Sequence, residues 1–516
     1  MIKGFRQIAS LTAISRVFGM IRDMAFAHFF GADWLMTAWT MGFKIPNLAR
    51  RLFGEGAASA SLIPVYSEQL HENPEQAKRL ANTAVTVIFV LLAAIVLVGE
   101  VLVWSYYHFF ETRTGPRIGL LLCSIMLPYM IFVCVVAILA GILNVHKHFA
   151  TPAAAPIVLN IFIIGSILFT GWVLKIQPQQ QVFYVAVAVL LAGLVQIAIQ
   201  IPSLRAKGVT IRPAWDIHSE AFKKTILMMG PMILGLTVTQ INTLADDIIA
   251  LSFMSEQGKP LSYSAPSYLY YAQRLYQFPL GVLGIALATA IFPVMSADAA
   301  RKDFNALTKT IARGIRSAVF IAIPATAGIF LVARPLVAVI FQHGSFKVTD
   351  TPKVAWTLSF YAIGLCGYFS QQVMTRAFYS LQDSRTPAKS ALYAVGVNIV
   401  LNLTLIWFLG TAGLAAATAA CSYLQVIVLV MVLRKKLSLS ILDGLKQTLV
   451  KTLKATTSMF LVGNTIMLLM KSLPEGRSSD ILRIAVVVPI AATVYVLAAK
   501  FLRIEALSLF TSGKQR

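Results

Sequence analysis

Long apolar runs restrict this chain more than any other feature. A window of about 20 residues, the length of helix that crosses a bilayer core, finds roughly fourteen of them. They lie near 8–30, 34–66, 81–107, 118–143, 153–174, 182–202, 222–253, 267–297, 315–341, 354–380, 388–409, 412–433, 448–470 and 480–502. With 58% of its 516 residues hydrophobic and 13% charged, the chain carries more apolar surface than a soluble core absorbs. Backbone groups in hydrocarbon must satisfy one another, so each run is expected to be a helix. The expected fold class is an all-α integral membrane protein with about 14 transmembrane helices.

The formal net charge of +23 sits mostly in short connectors rather than on one amphipathic face, which argues against a nucleic-acid partner. With the N-terminus placed inside, one set of connectors holds Arg205, Lys207 and Arg212, then Arg301, Lys302, Lys309, Arg313 and Arg316, then Arg434, Lys435 and Lys436. That side carries about 27 basic residues against about 10 on the other. Both termini are therefore expected in the cytoplasm. The start, Met1 to Arg6, has the basic character of a signal peptide, but Arg16, Arg22 and Asp23 interrupt the apolar stretch that should follow, so it reads as an uncleaved first span. Cys123, Cys134, Cys366 and Cys421 lie in apolar segments without disulfide or zinc spacing. His146 and His148 share a short loop with no further ligands, so no metal site is expected.

The sequence also repeats. Pro64-Val65-Tyr66-Ser67 is echoed by Pro293-Val294-Met295-Ser296, and Thr151-Pro152-Ala153 by Thr386-Pro387-Ala388, each about 230 residues on. Runs 1 to 6 and 7 to 12 thus read as two parallel copies of a six-helix bundle, followed by two extra helices. The expected divisions are 1–210, 211–440 and 441–516.

Ionisable residues inside these runs are the functional candidates, because each costs about 2.5 to 3.5 kcal/mol at a helix centre unless it meets water, a partner or a ligand. In the first run, Arg16 and Asp23 share a face by spacing, while Arg22 lies about 100° from Asp23. In the second, Lys44, Arg51 and Glu55 align if the helix continues through Pro46, and Arg50 points elsewhere, toward headgroups. The eighth run adds Arg274, followed by Pro279, Gly281 and Gly284, which permit bending. The seventh carries Thr239, Asn242, Thr243, Asp246 and Asp247, oxygen donors suited to a hard cation. Plainer readings stand beside these. Arg16 and Asp23 form an ion pair within the bundle, the lysine and arginines of the second run snorkel, or Asp246 and Asp247 serve as counter-charges. The excess of guanidinium groups favours an anionic ligand bearing phosphate or pyrophosphate.

Ser15-Arg16-Val17-Phe18-Gly19-Met20-Ile21-Arg22-Asp23 and Asn47-Leu48-Ala49-Arg50-Arg51-Leu52-Phe53-Gly54-Glu55-Gly56-Ala57 resemble the MurJ (MviN) family of lipid II flippases. Tyr271-Ala272-Gln273-Arg274 with Phe278 to Gly284, and Phe378 to Asp383 with Thr386-Pro387, are similar to further motifs of that family. The resemblance implies the fold of the MOP exporter superfamily: two six-helix lobes around a central cavity, with two C-terminal helices forming a groove for a lipid tail. It implies a flippase rather than an enzyme, carrying undecaprenyl-pyrophosphate-linked peptidoglycan precursor across the bacterial inner membrane. It also implies substrate-binding roles for Arg16, Arg22, Arg50 or Arg51, and Arg274, to which Asp23, Lys44 and Glu55 are added by position. A sodium site of some members points to Asp246, Asp383 and Asn398, with Asp247 adjacent. No cofactor is expected beyond Na⁺ or H⁺ as coupling ion. The implied partners are lipid II, the phospholipid bilayer and the cell-wall synthesis machinery. Two departures stand out: Thr37 and Gln273 occupy positions where members often carry an acid.

Rival readings are weaker. A cation-exporting drug antiporter calls for an acidic cavity, and a lipid-linked-sugar enzyme calls for catalytic carboxylates on a sizeable outer loop that the sequence does not offer. An exporter of another lipid-linked oligosaccharide is the closest alternative. No Walker A motif is present, so an ion gradient or the membrane potential is the expected drive.

Overall fold

The computed structural model describes residues 2–53, 59–110, 114–255, 257–437 and 441–507, which are almost wholly helical. Among them, strand-like pairing is confined to one bridge between Met254 and Leu261. The helices are α1 (Ile2–Phe30), α2 (Trp34–Ala49), α3 (Ser59–Glu72), α4 (Pro74–Phe109), α5 (Thr114–Met126), α6 (Tyr129–Val145), α7 (Ala150–Leu168), α8 (Pro178–Ala198), α9 (Ile201–Ala206) and α10 (Glu220–Ser252). They continue as α11 (Ala265–Pro279), α12 (Ile285–Ala300), α13 (Phe304–Phe341), α14 (Asp350–Ile363), α15 (Leu365–Ser380), α16 (Arg385–Leu409), α17 (Thr411–Leu437), α18 (Leu445–Leu469) and α19 (Arg477–Phe501).

Nine of the described helical segments are long and apolar enough to cross a membrane, ten if the pair 115–126 and 129–145, bent by 40°, counts as one span. The other expected spans coincide with α1, with α2 and α3, with α10, and with α14 and α15. These helices carry intramembrane charges or are broken, which is why composition alone does not single them out. Outer faces are apolar as lipid requires: Leu97, Val101 and Leu102 on α4 are each more than 60% exposed.

The chain forms two compact units, Met1–Gln240 with His343–Phe346, and Ile241–Gln342 with Lys347–Arg516. In unit 1, α1 packs on α7, α2 on α5, and α8 on α6 and α7. The short segment from His343 is fastened there by Ser345, whose backbone N–H donates to His28 O (2.7 Å) and whose hydroxyl donates to Phe29 O (3.1 Å). In unit 2, α13 is the hub, touching α12, α14, α15, α18 and α19. Helices α18 and α19 dock on it through Phe320, Leu331, Met459, Val487 and Ala491, and Tyr495 donates to Phe320 O at 2.6 Å.

Four expected continuous helices are interrupted. The second run stops as α-helix at Ala49 and passes through a π-helical stretch at 50–53. This shifts the register between Lys44 and Arg51, so their spacing no longer guarantees one face. The tenth run breaks at Gly364. Each break has a counterpart in the other half: the eighth run turns π-helical over Leu280–Gly284, directly after Pro279, and the fourth run bends at Leu127-Pro128. Proline lies at two of these breaks, Pro128 and Pro279, and its missing N–H explains them. These four breaks thus follow the sequence repeat, whereas the π-helical turn Phe169–Val173 after α7 has no counterpart in α16.

Close approach of α16 and α17 rests on one glycine. A methyl added at Gly413 would lie 2.5 Å from Leu405 O and 2.6 Å from its carbonyl carbon. Gly413→Ala is expected to push the helices apart and destabilise the protein by about 2 kcal/mol, read as a lower Tm in detergent. Gly396→Ala on α16, with nothing within 4 Å of the added carbon, serves as the control and should not lower it.

Candidate functional site

In unit 1 the charges of α1 do not pair as spacing suggests. Arg22 donates from Nε (3.1 Å) and Nη2 (2.8 Å) to Asp23 Oδ1, and from Nη1 to Asn160 Oδ1 on α7 (3.0 Å). Asn160 Nδ2 reaches back to Ser15 O at 3.4 Å. The guanidinium also lies 5.9 Å from the centroid of the Phe26 ring. The wheel separation of Arg22 and Asp23 describes their Cβ atoms; a long side chain on a flexible stem closes the gap. Asp23 is buried and Arg22 partly so, at 4% and 14% exposure, so the pair is largely withdrawn from water and breaking it leaves an uncompensated charge. Arg16 is exposed, and no ion pair with Asp23 forms.

On the second run Lys44 is half-buried and Arg50 folds onto Asn47 Oδ1, at 3.2 Å from Nε and 2.9 Å from Nη2. Arg51 is exposed and donates from Nη1 to Gln240 Oε1 at 3.2 Å. Glu55 lies outside the described residues, as do the side chains of Thr239, Asn242 and Thr243. Thr37 is buried, at 6% exposure.

In unit 2 the half-buried Arg274 places its guanidinium carbon 4.6 Å from the Tyr270 ring centroid, a cation–π distance. Its neighbour Gln273 donates to Tyr361 Oη at 3.0 Å. Tyr361 stacks on Tyr276, and Tyr276 on Tyr368.

A second buried charge is built on α10. Asp246, 5% exposed, accepts from Asn402 Nδ2 on α16 (2.6 Å, Oδ1) and from the Thr418 hydroxyl on α17 (3.1 Å, Oδ2). Asn402 Nδ2 also donates to Asn398 Oδ1 at 2.9 Å. Both asparagines are fully buried, and Asn402 Oδ1 has no hydrogen-bond partner among the described residues. A carboxylate, a hydroxyl and an orphaned amide oxygen form a donor set that fits a hard monovalent cation, or a proton on the carboxylate. Asp247, next to this cluster, is half-buried.

Asp383 stands apart from that group. It precedes α16, about 22 Å from Asn398 along the helix axis at 1.5 Å per residue. There it accepts from Lys436 Nζ (2.6 Å) and from the Thr386 backbone N–H (3.0 Å) and hydroxyl (2.7 Å). Burial raises its pKa, but Lys436 and Thr386 outweigh that and hold it at about 2.

Sequence reasoning missed Asn160, Asn402 and Thr418. The available signal was weak: a lone asparagine in one apolar helix, and two asparagines one turn apart in another.

With this geometry in place, comparison with known proteins decides the family. A family model described as lipid II flippase MurJ matches residues 26–486. The chain belongs to the lipid II flippase MurJ family. A probable lipid II flippase MurJ of Vibrio cholerae is 34% identical over 435 residues, covering 82% of this chain and 81% of that protein. The lipid II flippase MurJ of Burkholderia cenocepacia is 29% identical over 441 residues, with 83% of each covered. Among solved structures, a lipid II flippase MurJ in an inward closed conformation aligns with a TM-score of 0.78 at 22% identity, over 96% of this chain and 98% of that one. An inward-facing MATE family multidrug transporter of the MOP superfamily aligns at 0.64 and 13% identity, over 84% and 98%. These two likenesses concern the fold. The chain is a multi-pass, all-α membrane protein of this flippase family.

Asp383→Ala removes an acceptor at the start of α16 and should cost about 1 kcal/mol. Because its pKa is depressed when folded, its contribution is fully present above the ordinary carboxylate range and disappears as pH falls through about 2. The Tm difference between wild type and Asp383→Ala should therefore be constant from neutrality to about pH 5 and shrink below it.

Proposed function

We propose that this chain flips lipid II from the cytoplasmic to the periplasmic leaflet by alternating access, with basic side chains taking the pyrophosphate and a cation coupling at Asp246. The observation that carries this reading is the family match over residues 26–486 together with guanidinium groups set in otherwise apolar helices. Both termini lie in the cytoplasm on this reading, which rests on the asymmetry of the basic connectors.

Guanidinium suits pyrophosphate because its planar donors engage two oxygens at once. Arg16 and Arg51 are exposed and can reach a ligand directly. Arg22 is held in one orientation by Asp23 and Asn160, and Arg274 by Tyr270, so neither needs to be reordered on binding. Lys44, Arg50 and Glu55 complete the second-run set. The polyprenyl chain stays in lipid, where the outer faces of α18 and α19 present Leu461, Val488 and Leu497, so only the headgroup needs a polar route.

For the drive, the Asp246, Asn398, Asn402 and Thr418 cluster offers a place where Na⁺ or a proton changes the net charge of a buried site. Moving one charge across 100 mV supplies about 2.3 kcal/mol. The cation neutralises the carboxylate and takes the orphaned Asn402 oxygen as a ligand. Asp247 adds a second carboxylate nearby. A place beside the cell-wall synthesis machinery follows from the cargo.

Arg274→Ala should reduce lipid II appearing at the outer leaflet roughly 30-fold in cells depleted of their own flippase, the equivalent of one charge-assisted contact of about 2 kcal/mol. Unimpaired flipping by both Arg274→Ala and Arg51→Ala would overturn the pyrophosphate role. Asp246→Asn should leave lipid II binding intact while making flipping in vesicles insensitive to imposed Na⁺ and pH gradients. Gradient dependence retained in that variant removes Asp246 from the coupling step.

A further inference from the structure

The strongest unassigned feature is a shallow, open surface recess of about 650 Å³ at the start of α18, lined by Leu442–Gly444, Gln447, Val450 and three lysines, Lys446, Lys451 and Lys454. At 100° per residue the lysines fall within an arc of about 140°, with Lys454 near its middle, so they share one side of the helix. None of the three pairs with a carboxylate among the described residues. Asp443 is the one acid in the lining, which therefore keeps a surplus of two positive charges. The acid next to it, Glu505, is taken by Arg316 at 3.0 Å, and Arg316 also donates to Asp443 O at 2.8 Å. Lys451 Nζ lies 3.5 Å from Arg503 O.

Depth makes this more than a fringe of basic residues. Lys454 lies roughly 13 Å along α18 from its first residue, and α18 is the least apolar of the nine described segments able to span. Lysines set that far into a span are costly unless their ammonium groups meet water or an anion. Between and beyond the lysines the same helix exposes Val450, Leu453 and Phe460, which form one apolar strip. A cationic recess thus opens directly onto an apolar strip, the arrangement that fits a phosphate with acyl chains behind it.

We propose that this recess binds the headgroup of an anionic phospholipid of the surrounding leaflet. The lysines hold the phosphate, and the acyl chains lie along the strip of Val450, Leu453 and Phe460. A bulk phospholipid is the committed occupant because the recess lies on an outward, lipid-facing helix and is open to every lipid of that leaflet. The proposal requires only that the chain spans a bilayer, so it stands or falls separately from the flipping reading.

The test uses the full-length protein in detergent, titrated with phosphatidylglycerol or phosphatidylcholine and read by native mass spectrometry and Tm. Wild type should retain phosphatidylglycerol over phosphatidylcholine, with a preference that weakens as salt rises. Each single substitution, Lys446→Gln, Lys451→Gln or Lys454→Gln, should weaken retention about fivefold, and the triple substitution on the order of 100-fold. Asp443→Asn should tighten it. If the triple variant does not fold, the single variants and Asp443→Asn decide. Unchanged retention in these variants overturns the proposal. So does undecaprenyl pyrophosphate displacing phosphatidylglycerol at equal concentration in a lysine-dependent way, which would assign the recess to the cargo instead.

Discussion

A charge inside hydrocarbon has to be met by another group of the protein, and this requirement organises both units. Where α1 carries Arg22 and Asp23, α7 brings Asn160 to the guanidinium; where α10 carries Asp246, α16 and α17 bring Asn402 and Thr418. None of these polar side chains strengthens its helix alone. Each helix pair is instead specified by the penalty of leaving a buried ionic group unsatisfied, which exceeds what apolar packing between lipid-coated helices supplies. Close contacts such as Gly413 against Leu405 then hold the partners within hydrogen-bonding range.

The second constraint is on the backbone. Helices that cross lipid unbroken, such as α4 and α13, pack or face lipid and carry few charges at their centres. The widened stretches at 50–53 and Leu280–Gly284 adjoin arginine-bearing segments, and the break at Gly364 lies between Tyr361 and Tyr368 of the aromatic cluster. A π-helical turn leaves backbone groups less well satisfied and relieves register strain when the helix bends. The four breaks, at 50–53, Leu127-Pro128, Leu280–Gly284 and Gly364, recur at matching places in the two halves, which ties them to the duplicated bundle; the π-helical turn at Phe169–Val173 does not recur.

Much of this was legible from the residues. Apolar runs gave the helices because hydrocarbon leaves the backbone no alternative, and the echoes at Pro64 and Pro293, and at Thr151 and Thr386, marked the duplication. Two kinds of information were not legible. Helix breaks depend on how proline and glycine are accommodated in packing, so Lys44, Arg51 and Glu55 aligned on paper across a stretch that turns π-helical at Arg50. Partner choice depends on side-chain reach in three dimensions, so Arg22 took the adjacent Asp23 while Arg16 remained exposed. Asp383 illustrates the same limit: its chemistry suited ion coupling, but its position before α16 gives it Lys436 and Thr386 instead.

The two buried aspartates differ in one respect that bears on transport. Both sit on the first span of their half, and both clusters use asparagine from the fifth, Asn160 in one and Asn398 and Asn402 in the other. In the first half the residue beside the aspartate is Arg22, whose guanidinium neutralises it permanently. In the second, the residue beside Asp246 is another acid, Asp247, while the facing groups on α16 and α17 are amides and a hydroxyl. A covalently attached cation fixes the charge of the first site through every step of a cycle. The second site is built on the same plan, with an acid where the first has its arginine and with amides and a hydroxyl brought to the carboxylate by α16 and α17.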